Sequence, residues 1–390
     1  MYFNDKNVCN YTIENQFDTL SDVKTIIERF YRLGEIADAK QIHIGDTNYS
    51  YELLITAENR SQKKYFAQLF NPDKSLENIK YELALRDYFM KNRKGMLKCA
   101  THISTVNGGY TVECYCPQIS RTRYFCLFDF LEGKMAGDRD VWAFGRMSNE
   151  LLDGITAGLA EFHVGAYGYK PPESCNLSDV GYLEELKMYR GIYVNGEEYL
   201  KNDENLKEYF QFFKEFKPRL LDLIDKYSSR YDNVKDELPR CICHMDPSVN
   251  NYLFGSKRKP ISICDLDFSK EHLRLFDLCW LFLESFYNPD DLEDCMDISR
   301  CVYMLDAYDS AMEKLGSEKP GKLSEKEREM FPEIFQLVAI GFGFNNVWDI
   351  MLTGGPACSD EYNIYWGTWG KNSMEYMENH MDELKSMLLK

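Results

Sequence analysis

The sequence has no run of about 18 apolar residues, the length that a helix needs to cross a bilayer. Its N-terminus has no basic stretch followed by an apolar one, so we expect no signal peptide. The 13 cysteines are scattered without the spacing of a disulfide framework, which is typical of a reducing compartment. Two C-x-C pairs, Cys114/Cys116 and Cys241/Cys243, lack a second pair at zinc-ligand spacing, and we interpret them as small core residues. These absences predict a cytoplasmic protein without a membrane span.

Positive charge is also in short supply. The chain has 46 Lys and Arg against 63 Asp and Glu, which gives a net charge of −17. Because nucleic-acid phosphates are bound by clustered Lys and Arg, we expect no nucleic-acid partner. The acidity is compatible with a cationic substrate and equally with solubility alone.

What the chain does have is a block of polar residues at Cys241–Trp280, in which a short strand leads into a turn and a second strand ends on paired acids. Phosphoryl transfer needs a carboxylate that takes or orients the proton of the attacking hydroxyl. It also needs an amide oxygen and a second carboxylate that hold Mg²⁺ against the phosphates. The residues available for these tasks are His244, Asp246, Asn251, Asp265, Asp267 and Asp277. The alternative is a hairpin with acidic turns and a buried histidine.

This block resembles the aminoglycoside phosphotransferase/choline kinase superfamily, whose members are relatives of the protein kinases. The resemblance implies an α+β, protein-kinase-like fold of two lobes, with a small antiparallel-sheet N-lobe and a larger helical C-lobe. ATP or GTP would be the phosphoryl donor, with Mg²⁺. The implied roles are catalytic base for Asp246, metal binding for Asn251 and Asp265, and support of the catalytic loop for His244 and Asp277. Asp267 either assists the metal or turns outward.

The same resemblance sets the expected division of the chain. Residues 1–34 are predicted to form an N-terminal helical extension, and residues 35–133 the nucleotide-binding N-lobe. Residues 134–390 are predicted to form the C-lobe, with the catalytic loop at 241–280 and helical insertions for the acceptor. Nucleotide binding is assigned to a turn, a strand, a helix and a hinge through Gly45, Asp46, Asn48, Gln68, Glu82, Asp129, Phe130 and Leu131.

Gln68 departs from the superfamily's pattern, because related kinases place a lysine at this point of the third strand to hold the nucleotide phosphates. A glutamine side chain can donate a hydrogen bond but carries no charge. Sugar kinases similar to N-acetylhexosamine 1-kinase share the glutamine, followed closely by an asparagine as Asn71 follows here. We therefore expect a kinase that phosphorylates a hydroxyl of a sugar or amino sugar.

Several alternatives remain open from the sequence. Acidity and the aromatic segment Tyr362–Trp369 favour choline or ethanolamine as the acceptor, and acidity alone favours an aminoglycoside; homoserine is a further candidate. The uncharged Gln68 also permits a catalytically inactive pseudokinase that binds nucleotide. A third possibility is a metal-dependent hydrolase that uses the acids of the block. The sequence does not determine the oligomeric state.

Overall fold

The computed structural model describes residues 9–13, 20–42, 48–135, 147–171, 182–201, 204–255, 259–286, 296–353 and 359–390. Gly45 and Asp46, which were predicted to bind nucleotide, lie outside these residues. No helix within the described ranges is long and apolar enough to span a membrane.

The N-terminal lobe is built on a six-stranded sheet. Its strands are β1 (Cys9–Thr12), β2 (Glu35–Ile42), β3 (Tyr49–Thr56), β4 (Gln62–Leu69), β5 (Thr111–Cys116) and β6 (Arg121–Asp129). They lie in the order β1-β5-β6-β4-β3-β2. Successive side chains of a strand point to opposite faces, so Ala67 and Leu69 enter the core on one side of β4 while Gln68 lies on the other.

The segment predicted as an N-terminal helical extension contains a helix and, before it, a short strand. Helix α1 (Leu20–Phe30) is present, and its Val23, Ile26 and Ile27 pack on the sheet. Before it, however, β1 pairs in parallel with β5 and so extends the sheet. Four residues, CNYT, are too short to show the alternation of apolar and polar residues that identifies a strand in sequence.

Helix α2 (Leu76–Asn92) packs between the two lobes. It begins at Ser75, whose hydroxyl accepts a hydrogen bond from the backbone N–H of Asn78 at 3.1 Å, the usual N-cap arrangement. Leu83 packs in the small core beneath the sheet, whereas Phe89 packs in the core of the C-terminal lobe. These two contacts fix the rotation of the helix and thereby the direction of Glu82.

The C-terminal lobe is helical, with two short antiparallel strand pairs. Its helices are α3 (Asn149–Ala166), α4 (Tyr182–Leu200), α5 (Lys207–Val234), α6 (Arg274–Phe286), α7 (Ile298–Leu315), α8 (Glu325–Thr353), α9 (Asp360–Asn379) and α10 (Met381–Leu388). The strand pairs are β7 (Arg240–Cys243) with β10 (Lys270–Leu273), and β8 (Tyr252–Phe254) with β9 (Pro260–Ile263). One continuous apolar core joins the helices. The architecture confirms the predicted α+β, kinase-like fold of two lobes.

The β8–β9 hairpin ties the lobes together. Its Phe254 exchanges backbone hydrogen bonds of 2.8 and 3.0 Å with Lys134, just after the sheet. On its other strand, Ile261 accepts from Lys98 at 3.0 Å and Ile263 donates to Lys98 at 2.8 Å. The hairpin is thus held by both lobes. Asn251 immediately precedes it and Asp265 closely follows it, so both residues are fixed at the cleft.

Candidate active site

The loop after β7 is held open by one buried carboxylate. Asp277, fully buried in the first turn of α6, accepts the backbone N–H of His244 at 2.6 Å and that of Met245 at 2.8 Å. Met245 has a positive φ of +71°, a conformation that costs an L-residue free energy unless its surroundings impose it. The sharp turn that results places Asp246 at the edge of the cleft.

His244 links the same loop to the segment after β9. Its Nε2 meets the backbone oxygen of Cys264 at 2.8 Å, and its Nδ1 meets the backbone N–H of Asp246 at 3.3 Å. Because a carbonyl only accepts and an N–H only donates, the proton of this imidazole must sit on Nε2. His244 therefore positions the two acidic segments of the site relative to each other.

His163, from α3, extends this support into the core. Its Nε2 lies 3.0 Å from Asp277 and its Nδ1 lies 2.8 Å from the hydroxyl of Tyr308. Burial opposes charge on the ring, but Cys241 and the Asp277 carboxylate outweigh it and raise the pKa of His163. Within the described ranges, His163, Cys241 and Cys243 are the one group of histidine, cysteine and acidic side chains close enough to share a metal ion. Both ring nitrogens already have partners, so the group is a packed support of the loop.

Asn251 and Asp265 stand beside Asp246. The Nδ2 of Asn251 donates to the backbone oxygen and to Oδ2 of Asp246, both at 2.9 Å. Since both partners are acceptors, the amide oxygen of Asn251 must face away from Asp246. Asp265 adopts a left-handed φ of +52°, and its carboxylate has no hydrogen-bond or ion-pair partner among the described residues. Burial, with the nearby Glu82 and Asp246 carboxylates, raises the pKa of Asp265.

Asp267, two residues on, is instead engaged at both oxygens. Its Oδ1 lies 2.5 Å from Nζ of Lys74, and its Oδ2 accepts from Nδ2 of Asn48 at 3.0 Å. Burial and the neighbouring Glu82 carboxylate nevertheless raise the pKa of Asp267 to about 7. Asn48 also accepts the backbone N–H of Asn71 at 2.8 Å, so it joins the start of β3 to the end of β4 and to Asp267.

Glu82 is almost fully buried and carries two cationic partners. Lys74 approaches its Oε2 at 2.6 Å, and Nε of Arg86 approaches its Oε1 at 2.9 Å. Burial opposes the charged form, but these two cations outweigh it and lower the pKa of Glu82. Gln68 lies on the cleft side of β4, and the cation that meets Glu82 comes from the turn after the strand.

Lys74 was missed in the sequence because nothing in its local pattern marks it. It lies in the polar turn Asn71–Ser75, where a lysine is usually solvated. The available signal is positional, since Lys74 is the one lysine between β4 and α2. Because Gln68 is uncharged, the lysine in the turn that follows this strand is the candidate for the missing charge.

The three hinge residues occupy the end of β6 and the chain beyond it. The backbone N–H of Asp129 donates to Thr101 at 2.8 Å, and its carboxylate pairs with Lys63 at 2.8 Å. The N–H of Asp129 is thus engaged within the lobe and is not free for a nucleobase. Phe130 lies beneath the Lys64 ammonium, and Leu131 packs against the core under the sheet.

A second residue missed in the sequence, Glu284, faces the site from α6. It lies seven residues after Asp277, two helical turns further along, and so on the same side of the helix. The hydroxyl of Ser248 hydrogen-bonds to it, and burial together with the nearby Asp246 carboxylate raises the pKa of Glu284 to about 8. The indole N–H of Trp280, which flanks it on the same helix, is directed at the same carboxyl group.

Comparisons with known proteins identify the family of this chain. The sequence model of the phosphotransferase enzyme family matches residues 38–298, more than half of the chain. None of the curated protein sequences is a significant match.

Solved structures share the fold at low sequence identity. The amicoumacin kinase hAmiN, in complex with AMP-PNP, Ca²⁺ and Ami, has a TM-score of 0.60 at 13% identity, covering 92% of this chain and 94% of that one. An ethanolamine kinase of Plasmodium vivax has a TM-score of 0.57 at 13% identity, covering 96% and 92%. A choline/ethanolamine kinase family protein from Mesorhizobium loti has a TM-score of 0.52 at 13% identity, covering 95% and 98%. The chain therefore belongs to the phosphotransferase enzyme family, as the Cys241–Trp280 block predicted, and is a phosphotransferase with a hydroxyl acceptor.

Proposed function

We propose that the protein transfers the γ-phosphoryl group of ATP to a hydroxyl of a small molecule that carries a protonated amine close to that hydroxyl. The observation that carries this proposal is that the Asp246 carboxylate, bonded by Asn251 at 2.9 Å, lies near the partly buried carboxyl group of Glu284. The contact between Asp246 and Asn251 serves phosphoryl transfer in general, whereas the nearby Glu284 selects the chemical class of the acceptor.

The reaction chemistry rests on Asp246 and its supports. Asp246 orients the acceptor hydroxyl and takes its proton as the oxygen attacks phosphorus, which is the task of a catalytic-loop aspartate in phosphoryl transfer. Its Oδ2 is held by Asn251, which leaves Oδ1 to meet the hydroxyl. Asp277, through the backbone of His244 and Met245, keeps the loop in the conformation that presents Asp246.

The residues beside Asp246 fit a hard divalent cation such as Mg²⁺. The amide oxygen of Asn251 faces away from Asp246, and the Asp265 carboxylate is partly buried without a partner among the described residues. Oxygen donors of these two kinds are those that Mg²⁺ takes, and a cation there relieves the repulsion that raises the pKa of Asp265. We propose that Asn251 and Asp265 hold the metal, and that Asp267 joins them when Lys74 releases it. The metal neutralises charge on the phosphates.

The acceptor side is set by Glu284. Hydrogen bonds from Ser248 and Trp280 only partly offset the burial of Glu284 beside the Asp246 carboxylate, and a cation bound between the two carboxyl groups would offset it further. An ammonium group on the acceptor meets this need and leaves the adjacent hydroxyl directed at Asp246. Among the acceptors predicted from the sequence, this favours an amino sugar over a neutral sugar. It equally favours ethanolamine, the substrate named for one of the structural relatives.

A matched acceptor panel tests the proposal. Transfer from ATP and from GTP is measured with glucosamine against glucose, ethanolamine against ethylene glycol, and with choline, homoserine and an aminoglycoside. We expect the amine-bearing member of a pair to be phosphorylated with the higher kcat/KM, and ATP to be the better donor. Glu284→Gln should remove most of the preference within the pair, while Asp246→Asn should abolish transfer to every acceptor.

Two outcomes contradict the proposal. Equal kcat/KM for the amine and its neutral partner would remove the ammonium from the acceptor. If no acceptor is phosphorylated although ATP with Mg²⁺ still raises the melting temperature, the protein is a pseudokinase that binds nucleotide without turnover.

A further inference from the structure

A nucleotide triphosphate brings several negative charges into the cleft, and a fixed cation normally meets them. At the strand position that faces the cleft this chain has Gln68, which is neutral. Among the described residues, two cationic side chains form ion pairs with the acids of the site, Lys74 and Arg86. The nucleotide site is therefore short of a charge unless one of the two serves the phosphates.

Arg86 is committed to the fold. It is only 5% exposed, its Nε donates to Glu82 at 2.9 Å, and its guanidinium stacks 5.2 Å from the ring of Phe128. These contacts hold the Arg86 side chain in the middle of α2, so that it cannot move toward the cleft. Both of its hydrogen bonds to Glu82 are made to Oε1, which leaves Oε2 of that carboxylate to Lys74.

Lys74, in contrast, reaches across the cleft. Its Nζ bonds at once to Glu82 on α2 and to Asp267 after β9, with 9% of the side chain exposed. Asp267 lies two residues from Asp265, at the place where the phosphates and the metal would lie. An ammonium with a partner on that side can exchange it for a phosphate oxygen without leaving Glu82.

The turn that carries Lys74 is built to hold it there. Its backbone N–H donates to the oxygen of Asn71 at 3.0 Å, and the side chain of Asn71 accepts the N–H of Asp73 at 2.9 Å. The ring of Phe70 lies 4.5 Å from Nζ, a cation–π contact that directs the ammonium toward the cleft. Ser75 then caps α2, so the turn has little freedom.

We infer that Lys74, from the turn between β4 and α2, is the phosphate-binding cation of this kinase and takes the place that a lysine at Gln68 would have. Without nucleotide it bridges Glu82 and Asp267. With nucleotide it keeps Glu82, binds the α- or β-phosphate and frees Asp267 for the metal. This inference rests on the proposed function for its ligand, but it is tested by nucleotide binding and not by acceptor chemistry.

The experiment compares Lys74→Met with Lys91→Met, in the full-length chain. Lys91 is exposed in the last turn of the same helix and serves as the matched control. Dissociation constants for ATP with Mg²⁺ are measured by calorimetry, and kcat/KM is measured with the best acceptor of the panel. We expect Lys74→Met to weaken ATP binding by about tenfold or more, the size of effect typical of losing one charge-assisted contact, and Lys91→Met to change it by less than about twofold.

Moving the lysine from position 74 to position 68 tests whether Lys74 binds nucleotide or only supports the fold. The double variant Gln68→Lys with Lys74→Met returns a cation to the cleft from β4, and we expect it to recover most of the lost ATP affinity. A residue that only supports the fold would not be replaced from that distance.

Three results would overturn the inference. One is ATP affinity in Lys74→Met within about twofold of wild type. Another is that Lys74→Met and Lys74→Gln both fail to fold, which would assign Lys74 to stability alone. The third is a wild-type protein that binds no nucleotide, which overturns the proposed function as well. A wild type that binds ATP but phosphorylates no acceptor refutes only the proposed function, and the affinity comparison then still decides on Lys74.

Discussion

Replacing Asp277 by asparagine removes half of the hydrogen-bond acceptors that hold the catalytic loop. The carboxylate accepts from the backbone of His244 and Met245 and from His163, and it is fully buried. An asparagine has one acceptor oxygen and one NH₂ group. In its better orientation the oxygen keeps His244 and His163, and the NH₂ group then faces the N–H of Met245, donor against donor.

The expected cost follows from those groups. A buried N–H left without an acceptor costs about 1–3 kcal/mol, and the weakened charge-assisted bond to His163 adds about 1 kcal/mol. We therefore expect the free energy of unfolding to fall by about 2–4 kcal/mol. Met245, no longer held at its positive φ, should relax and displace Asp246. A displacement of about 1 Å at a reacting group lowers kcat/KM by about a hundredfold.

Urea unfolding and steady-state kinetics check both expectations, with Asp360→Asn as the matched control. Asp360 also accepts two backbone N–H groups, from Glu208 at 2.9 Å and Tyr209 at 2.7 Å, but far from the site along the chain. This control should lose about 1 kcal/mol and keep its kcat/KM. If Asp277→Asn stays within about 0.5 kcal/mol of wild type, or loses no more activity than the control, the Asp277 carboxylate does not hold the loop.

Three further predictions concern the acceptor site and the helical lobe. Because the pKa of Glu284 is about 8, its carboxyl group must lose a proton before it binds an ammonium. The KM of an amine-bearing acceptor should therefore fall as the pH rises, by up to about tenfold per pH unit between about pH 6 and 8. Glu284→Gln should flatten that profile, and an unchanged slope in the variant would exclude Glu284 as its source. Gly370→Ala should destabilise the fold by about 1–3 kcal/mol, since the added methyl would overlap the backbone oxygen of Ala339 where α8 and α9 cross. Gly191→Ala in α4 places the new methyl where nothing lies within 4 Å, so it should stabilise the protein by up to about 1 kcal/mol in the same urea series. A loss of stability in this variant would show that the helix does not tolerate a side chain at that point.

The Cys241–Trp280 block was interpretable because its parts are close in sequence. Asp246 and Asn251 share one turn, and the chain returns with Asp265 after a hairpin, so their proximity is a consequence of local structure. The resemblance of this block to a known superfamily implied the family and the kinase-like fold, and both are confirmed. The identity of the donor, the metal and the acceptor stays a prediction, because small differences in side-chain placement decide each of them.

Other parts of the site could not be deduced in this way. Strand β1 has too few residues to show a period, and its parallel partner β5 lies about 100 residues away. The predicted roles of Asp129, Phe130 and Leu131 depended on backbone groups, which leave no trace in side-chain identity. In the folded chain the backbone N–H of Asp129 donates to the backbone oxygen of Thr101. This hydrogen bond depends on how a separate segment lies against β6.

By itself, the sequence determined the reaction class and the two-lobed architecture, because the residue types and spacings of the Cys241–Trp280 block resemble those of a superfamily with that activity and fold. It also showed that the strand position at Gln68 lacks a charge. Only the tertiary structure decided what compensates for it. Lys74, Glu82 and Asp267 are brought together by the packing of α2 between the lobes and by the β8–β9 hairpin that both lobes hold. Glu284 lies near Asp246 because α6 packs beside the loop that follows β7, and Asp277 of the same helix holds that loop.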